Sequence, residues 1–199
     1  MPPWAVAYAS RESRESSWEH MPTWAPSQIR TRSTVGWSVW MPDRPSNRAP
    51  SFRGCRTSSP RASEAMRRNH SRDTKAELLL RRTLWQAGMR FRIHGDLPGR
   101  PDVVITGHRV AVFCDGDFWH GRDWARRRAM LLRGSNSKYW VAKILANRKR
   151  DRINTHALSR LGWTVVRLWE TDITAYPDAA AQVVLEAVEA RAARRSDER

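Results

Sequence analysis

The chain has 199 residues, 40% of them hydrophobic and 28% charged, which suits one globular domain with an extension. Its 36 Lys and Arg against 20 Asp and Glu leave a net charge of +16, so a polyanion is the first partner to consider. No run approaches the roughly 18 apolar residues of a membrane span, the N-terminus lacks the apolar core of a secretory signal, and two cysteines, Cys55 and Cys114, supply neither a disulfide framework nor a four-thiolate zinc site.

Residues 1–62 hold 8 of the 11 prolines and 5 of the 11 tryptophans, but no lysine and no periodic apolar run. Trp4, Trp18, Trp24, Trp37 and Trp40 stand among Ser, Arg and Pro without helical or strand spacing, which predicts a disordered tail. The alternative is a start placed too far upstream, with Met41 and Met66 as internal candidates. The segment carries +5 of the charge, so most of the basic character belongs to residues 63–199, the expected folded domain.

Regular punctuation begins at Thr74-Lys75-Ala76-Glu77, a T-x-x-E capping box ahead of an apolar run. Ala76, Leu79, Leu80, Thr83, Leu84 and Ala87 recur at helical steps, and Gly88 is placed to close the helix. Met89 to His94 reads as a short strand, followed by the turn Leu97-Pro98-Gly99-Arg100-Pro101. Residues 102–105 and 109–114 are strands joined as a hairpin through Thr106-Gly107-His108. After a polar, Arg-rich connection, Tyr139 to Leu161 runs without Pro or Gly. Trp140, Ile144, Asn147, Asp151, Asn154 and Leu158 share one stripe of that helix, and Gly162 stops it. Trp163 to Trp169 alternates as a strand, with Trp163, Val165, Arg167 and Trp169 outward, and Ala179 to Ala193 is a closing helix. The order α-β-β-β-α-β-α predicts a mixed sheet with helices on its faces.

Asp102, fixed after Pro101 at the head of a strand, sits where a sheet end holds metals well. The next strand ends in Cys114-Asp115-Gly116-Asp117-Phe118-Trp119-His120, which brings further carboxylates and an imidazole to the neighbouring strand end. Oxygen ligands of this kind suit Mg2+, and His120 could deprotonate or orient a water. Plain Asp-rich turns and a structural histidine are the bland reading of the same residues.

Several separated strings stand in a fixed order. They are Met66-Arg67-Arg68, Ser71 to Glu77, Leu97 to Asp102, Phe113 to His120, Tyr139-Trp140, Lys143-Ile144, Asn147, Arg150-Asp151-Arg152, Leu161-Gly162-Trp163 and Trp169-Glu170. Together they resemble the very-short-patch repair (Vsr) mismatch endonucleases. The resemblance implies an α/β domain of the PD-(D/E)xK, restriction-endonuclease-like class, with a mixed sheet flanked by helices. It further implies a Mg2+-dependent nickase, with one or two ions, that cuts one strand beside a T:G mismatch and starts very short patch repair.

By that resemblance Asp102 is the principal metal carboxylate, and the backbone carbonyl of Cys114 is a second ligand. Glu77 would contact water on the metal, or serve only as the capping residue. His120 is the base or water-orienting imidazole, Asp151 its orienting partner, and Asn147 a support one turn away and a DNA contact. Asp115 stands where the family often has a histidine, which lowers the positive charge at a catalytic position. Phe118, Trp119 and Trp140 take the places of aromatic wedges driven into the duplex, with core packing the alternative for Trp140. Arg126, Arg127, Arg128, Arg133, Lys149, Arg150 and Arg152 are phosphate contacts or a solvated basic face. The family's zinc ligands are replaced by Asp117, the Gly121-Arg122-Asp123-Trp124 run and Thr171. No zinc is therefore expected, and packing, with Trp124 as an anchor, should hold that loop. The expected protein is a cytoplasmic monomer acting on double-stranded DNA. A defence-linked or restriction-linked nuclease without mismatch selectivity, or a non-catalytic DNA-binding protein, are the rival readings.

Overall fold

The structure, a computed structural model, describes residues 50–51, 72–93 and 95–197. They belong to the second of two units, Met1–Asn47 and Arg48–Arg199. The tail or upstream start expected for residues 1–62 lies outside the described residues, Pro50 and Ser51 apart.

Helix α1 spans Lys75–Gln86 and begins as its capping box requires, with Thr74 Oγ1 accepting from the Glu77 N–H at 3.3 Å. It ends in a Schellman closure: the Gly88 N–H donates to the Trp85 carbonyl and the Met89 N–H to the Leu84 carbonyl. Strands β1 (Val103–Ile105) and β2 (Val110–Asp115) pair antiparallel around a 3-10 turn at Thr106–His108, as the hairpin reading expected. The long helix α3 (Ser137–Arg160) closes by the same Schellman pattern at Gly162, and β3 (Thr164–Trp169) then pairs parallel to β2. The result is a mixed three-stranded sheet in the order β1-β2-β3, completed by α4 (Glu170–Ala175) and α5 (Pro177–Asp197).

Alternation along β2 assigns its two faces. Val110 and Val112 pack with Leu80, Leu84, Val184 and Ile173 of α1, α5 and α4, while Ala111 and Phe113 pack with Leu158 of α3. Each fully buried aliphatic side chain contributes roughly 1.5 to 3 kcal/mol, so the hairpin sits in a rigid frame. Among the described residues no helix is long and apolar enough to cross a membrane.

Three expectations are corrected. The strand at Met89 to His94 reduces, among its described residues, to a single bridge between Arg92 and Val104, because only Arg92 exchanges backbone hydrogen bonds with β1. The Arg-rich connection contains a helix, α2 (Trp124–Arg133), in which no residue is fully buried and whose apolar positions are interrupted by the run Arg126-Arg127-Arg128. The face of β3 read as outward is covered: Trp163 and Val165 pack beneath α3, and Arg167 reaches into a cleft at the end of the sheet.

Candidate active site

The carboxyl end of β2 opens into a cleft of about 610 Å3. Glu77, Asp102, Cys114, Asp115, His120 and Asp151 all line it, as do Trp119, Asn147 and Arg150. Sequence positions scattered over two helices, a hairpin and a loop thus meet in one place.

Asp102 is held by the hairpin. Its N–H donates to the Val112 carbonyl at 2.9 Å, and its Oδ2 accepts from the Cys114 N–H at 2.7 Å. Burial, with the charges of Glu77 and Asp115 adding to it, outweighs that hydrogen bond and pushes its pKa up to about 6. Burial and the charge of Asp102 raise the Cys114 thiol as well, so it stays protonated. Glu77 is buried at the N-terminus of α1 with both oxygens engaged. Oε1 accepts from the Thr74 hydroxyl at 3.0 Å, and Oε2 accepts from the Asp73 N–H and from Arg81, at 3.0 and 2.9 Å. The capping role is therefore realised, and Arg81 is a cation the sequence reading did not single out.

On the opposite wall, His120 Nδ1 lies 2.7 Å from Oδ2 of Asp151, which α3 delivers from one turn past Asn147. Burial pushes the Asp151 carboxyl up, but the hydrogen bond with His120 and the charge of Arg167 outweigh it and hold the group below the usual carboxylate range. An ionised Asp151 accepts the Nδ1 proton, which selects the Nδ1–H tautomer of the neutral ring, with Nε2 as its unprotonated nitrogen. Asp115, 5% exposed, is gripped by Arg167 at 2.7 and 2.6 Å. It is a salt-bridged carboxylate rather than an open one.

The loop between β2 and α2 carries the aromatics. Phe118 packs edge-on against Trp119 and against Trp140 of α3, with ring centroids 5.2 and 5.4 Å apart, and Tyr139 of α3 meets Trp140 edge-on. Trp140 therefore joins this half-buried cluster instead of the hydrophobic core. Asn147 is buried and donates to the Trp119 carbonyl at 2.9 Å, so its amide holds the aromatic loop. Asp117 accepts from Thr171 Oγ1 at 2.6 Å and from Arg122 at 3.1 Å, and Arg122 donates onward to Asp172 at 2.8 Å. Burial lowers the Arg122 pKa, but the bonds to Asp172 and Asp117 outweigh it and raise the pKa. Trp124 adds a contact with the Arg148 guanidinium, whose NH1 donates to the Gly121 carbonyl. Lys149 is exposed on α3 outside the cleft lining, and Arg126, Arg128 and Arg133 project from α2 into solvent.

Comparison with known proteins turns this geometry into an identity. The family model described as DNA mismatch endonuclease Vsr matches residues 57–126. The type II nicking enzyme V.NmeDIP of Neisseria meningitidis serogroup C is 40% identical over 126 residues, covering 63% of this chain and 84% of that protein. The chain belongs to the Vsr family. The type II nicking enzyme V.HpaIIP of Haemophilus parainfluenzae, 35% identical, covers 62% of the chain and 87% of itself. The DNA mismatch endonuclease Vsr of Escherichia coli K12, 37% identical, covers 54% and 68%. As a member of the Vsr family the protein is a strand-nicking endonuclease. The matched segment holds Asp102, Cys114 and His120, while Asp151 and Arg167 lie beyond it on α3 and β3. Among the described residues no three His, Cys, Asp or Glu side chains converge as a metal cage. The Asp102 carboxylate in the cleft, its charge disfavoured by burial, suits a hard cation that keeps most of its waters.

Proposed function

We propose that this Vsr-family enzyme hydrolyses one phosphodiester bond of double-stranded DNA at a T:G mismatch, with Mg2+ as its cofactor. The observation that carries the reading is the His120–Asp151 pair lining the same cleft as a half-buried Asp102 whose charged form is disfavoured there. A carboxylate pushed up to about 6 by burial and by two neighbouring carboxylates favours a bound cation, which fits the donor set. Asp102 and the Cys114 carbonyl would hold the ion, and Mg2+ supplies charge neutralisation for the phosphate group.

The remaining chemistry belongs to the side chains. His120 Nε2 takes a proton from a water as its oxygen bonds to phosphorus, while the bond from phosphorus to the leaving sugar oxygen breaks. Asp151 fixes the imidazole and stabilises the imidazolium formed. Glu77, already held by three donors, would accept from a water in the cleft beside Asp102. Phe118, Trp119 and Trp140 would enter the duplex at the opened step. Unstacking costs a few kcal/mol and least at a weakened pair, which supports mismatch preference. Arg150, Lys149 and the arginines of α2 would contact phosphates without reading sequence. Pro101-Asp102 ahead of an antiparallel hairpin, continued by a parallel strand, supports the PD-(D/E)xK class for residues 63–199. The same reading places the enzyme in the cytoplasm as a monomer, with no zinc.

The test is a nicking assay on end-labelled duplexes carrying T:G, other mismatches or full pairing, with Mg2+ and with chelator. Nicking confined to one strand of the T:G duplex and dependent on Mg2+ is expected. Equal cleavage of paired DNA would instead favour a general nuclease of this fold, and binding without cleavage a silent DNA-binding protein.

A further inference from the structure

Arg167 lies beyond the motifs that mark the active site, on the strand face read from sequence as outward. We infer that it is a positioning residue of the nicking reaction: its guanidinium bridges Asp115 and Asp151 and so holds the His120 imidazole in its working orientation. The inference rests on the reading of His120 as the base.

The geometry is specific. Arg167 Nε donates to Asp115 Oδ2 at 2.7 Å and NH2 to Asp115 Oδ1 at 2.6 Å, a two-pronged grip on one carboxylate. The same NH2 lies 3.3 Å from Asp151 Oδ1 and 3.5 Å from His120 Nδ1. Asp151 is thereby held at both oxygens, Oδ2 by the imidazole and Oδ1 by the guanidinium, so its plane cannot turn away from the histidine. The strand register explains how Arg167 comes to be there. It pairs with Phe113, whose ring lies 4.9 Å beneath the guanidinium carbon, and its side chain leans one step along the face towards Asp115. A buried Asp115 is the anchor that fixes this fork, and Arg167 in turn keeps the carboxylates from presenting uncompensated charge to an incoming phosphate.

A merely structural ion pair would make a narrower claim, that Arg167 exists to neutralise Asp115. Arg167→Met, Arg167→Lys and the double variant Asp115→Asn/Arg167→Met separate the two. Each is assayed for single-turnover kcat and KM on a T:G duplex, and 15N spectra of the histidine rings in the free protein report the tautomer of His120. Arg167→Met is expected to lower kcat about 100-fold or more, with KM changed less than about threefold. Arg167→Lys should recover part of this loss, since a point charge restores attraction without the fork. In both, His120 should leave the single Nδ1–H tautomer for a mixture. The double variant, which removes both members of the buried pair, should stay as slow as Arg167→Met. Wild-type kcat in the double variant would overturn the proposal, as would an unchanged His120 tautomer in Arg167→Lys and Arg167→Met. Should the wild-type protein nick no duplex at all, the nuclease reading fails, while the tautomer spectra still decide whether Arg167 positions His120.

Discussion

His120 Nδ1 and Asp151 Oδ2 lie 2.7 Å apart although 31 residues separate them in the chain. Asp151→Asn keeps the shape of the side chain but removes the charge that selects the Nδ1–H tautomer. Nicking should fall by about 10²- to 10⁴-fold, with an unchanged circular dichroism spectrum. Stability carries a second signature. The pKa of Asp151 is lowered on folding, so its contribution is present above the ordinary carboxylate range and is lost as pH falls through the folded value. A plot of melting temperature against pH should therefore be flatter on its acid side for Asp151→Asn than for wild type.

Asp102 has the opposite sign. Its folded pKa near 6 exceeds the ordinary 3.8, so stability is greatest below the ordinary value and declines as pH rises to about 6. In metal-free protein at pH 7, Asp102→Asn should then be more stable than wild type, by on the order of 1 to 3 kcal/mol. It should have lost nicking altogether. Mg2+ should raise the melting temperature of the wild type at pH 7, not at pH 4, and should leave Asp102→Asn unmoved; an equal Mg2+ response in both would remove Asp102 from the metal site.

The aromatic cluster should govern selectivity. Phe118→Ala or Trp119→Ala removes stacking worth roughly 1 to 3 kcal/mol per base, so discrimination between T:G and paired duplexes should shrink about tenfold for each 1.4 kcal/mol lost. Lys149→Ala, on the exposed face of α3, should weaken both substrates alike and flatten the salt dependence. Equal rate losses on both duplexes in the aromatic variants would sink the wedge account.

Asp117 ties the aromatic loop to α4 through Thr171 and Arg122. Asp117→Ala strands Arg122 with one partner fewer and should cost about 1 to 3 kcal/mol of stability, together with some of the mismatch selectivity. The purified protein should hold no stoichiometric zinc and, with no Mg2+ added, should keep its melting temperature in chelator. Elemental analysis finding one tightly bound zinc per chain would contradict this account of the loop.

A chain beginning at Ser63 should fold and nick like the full one, because the residues before it carry no periodic apolar pattern and only +5 of the +16 charge. Loss of the folded state, seen by circular dichroism, would show that the early tryptophans pack on the domain.

Local chemistry was readable. Thr74 and Gly162 announced helix ends because their hydrogen bonds close within a few residues. Asp102, Asp115, His120 and Asp151 could be named because they stand in strings with a distinctive order, and the fold brings them to one cleft. Long-range dependence hid the rest. Arg167 gains its place only from the pairing of β3 with β2, and period-two alternation on a strand covered on both faces gave no hint of which side was the site. Asn147 was visible as part of a helical stripe, but its acceptor, the Trp119 carbonyl, is 28 residues away. Helix α2 has no fully buried residue, and its run of three arginines made it look like a polar connection. Residues 89–93 have the composition of a strand, yet one bridge is all the neighbouring backbone offers them.

The parallel pairing of β2 with β3 also sets when the two halves of the proposed site come together. The hairpin bearing Asp102 forms from near neighbours, whereas Arg167 arrives only after the chain has traversed α2 and α3 and laid β3 alongside β2. Such non-local pairing is the slow part of folding. A ribosome-bound or partly unfolded chain would hold the hairpin half of the cleft without an imidazole fixed against it. On the roles proposed for His120 and Arg167, cutting activity would wait until β3 has joined the sheet.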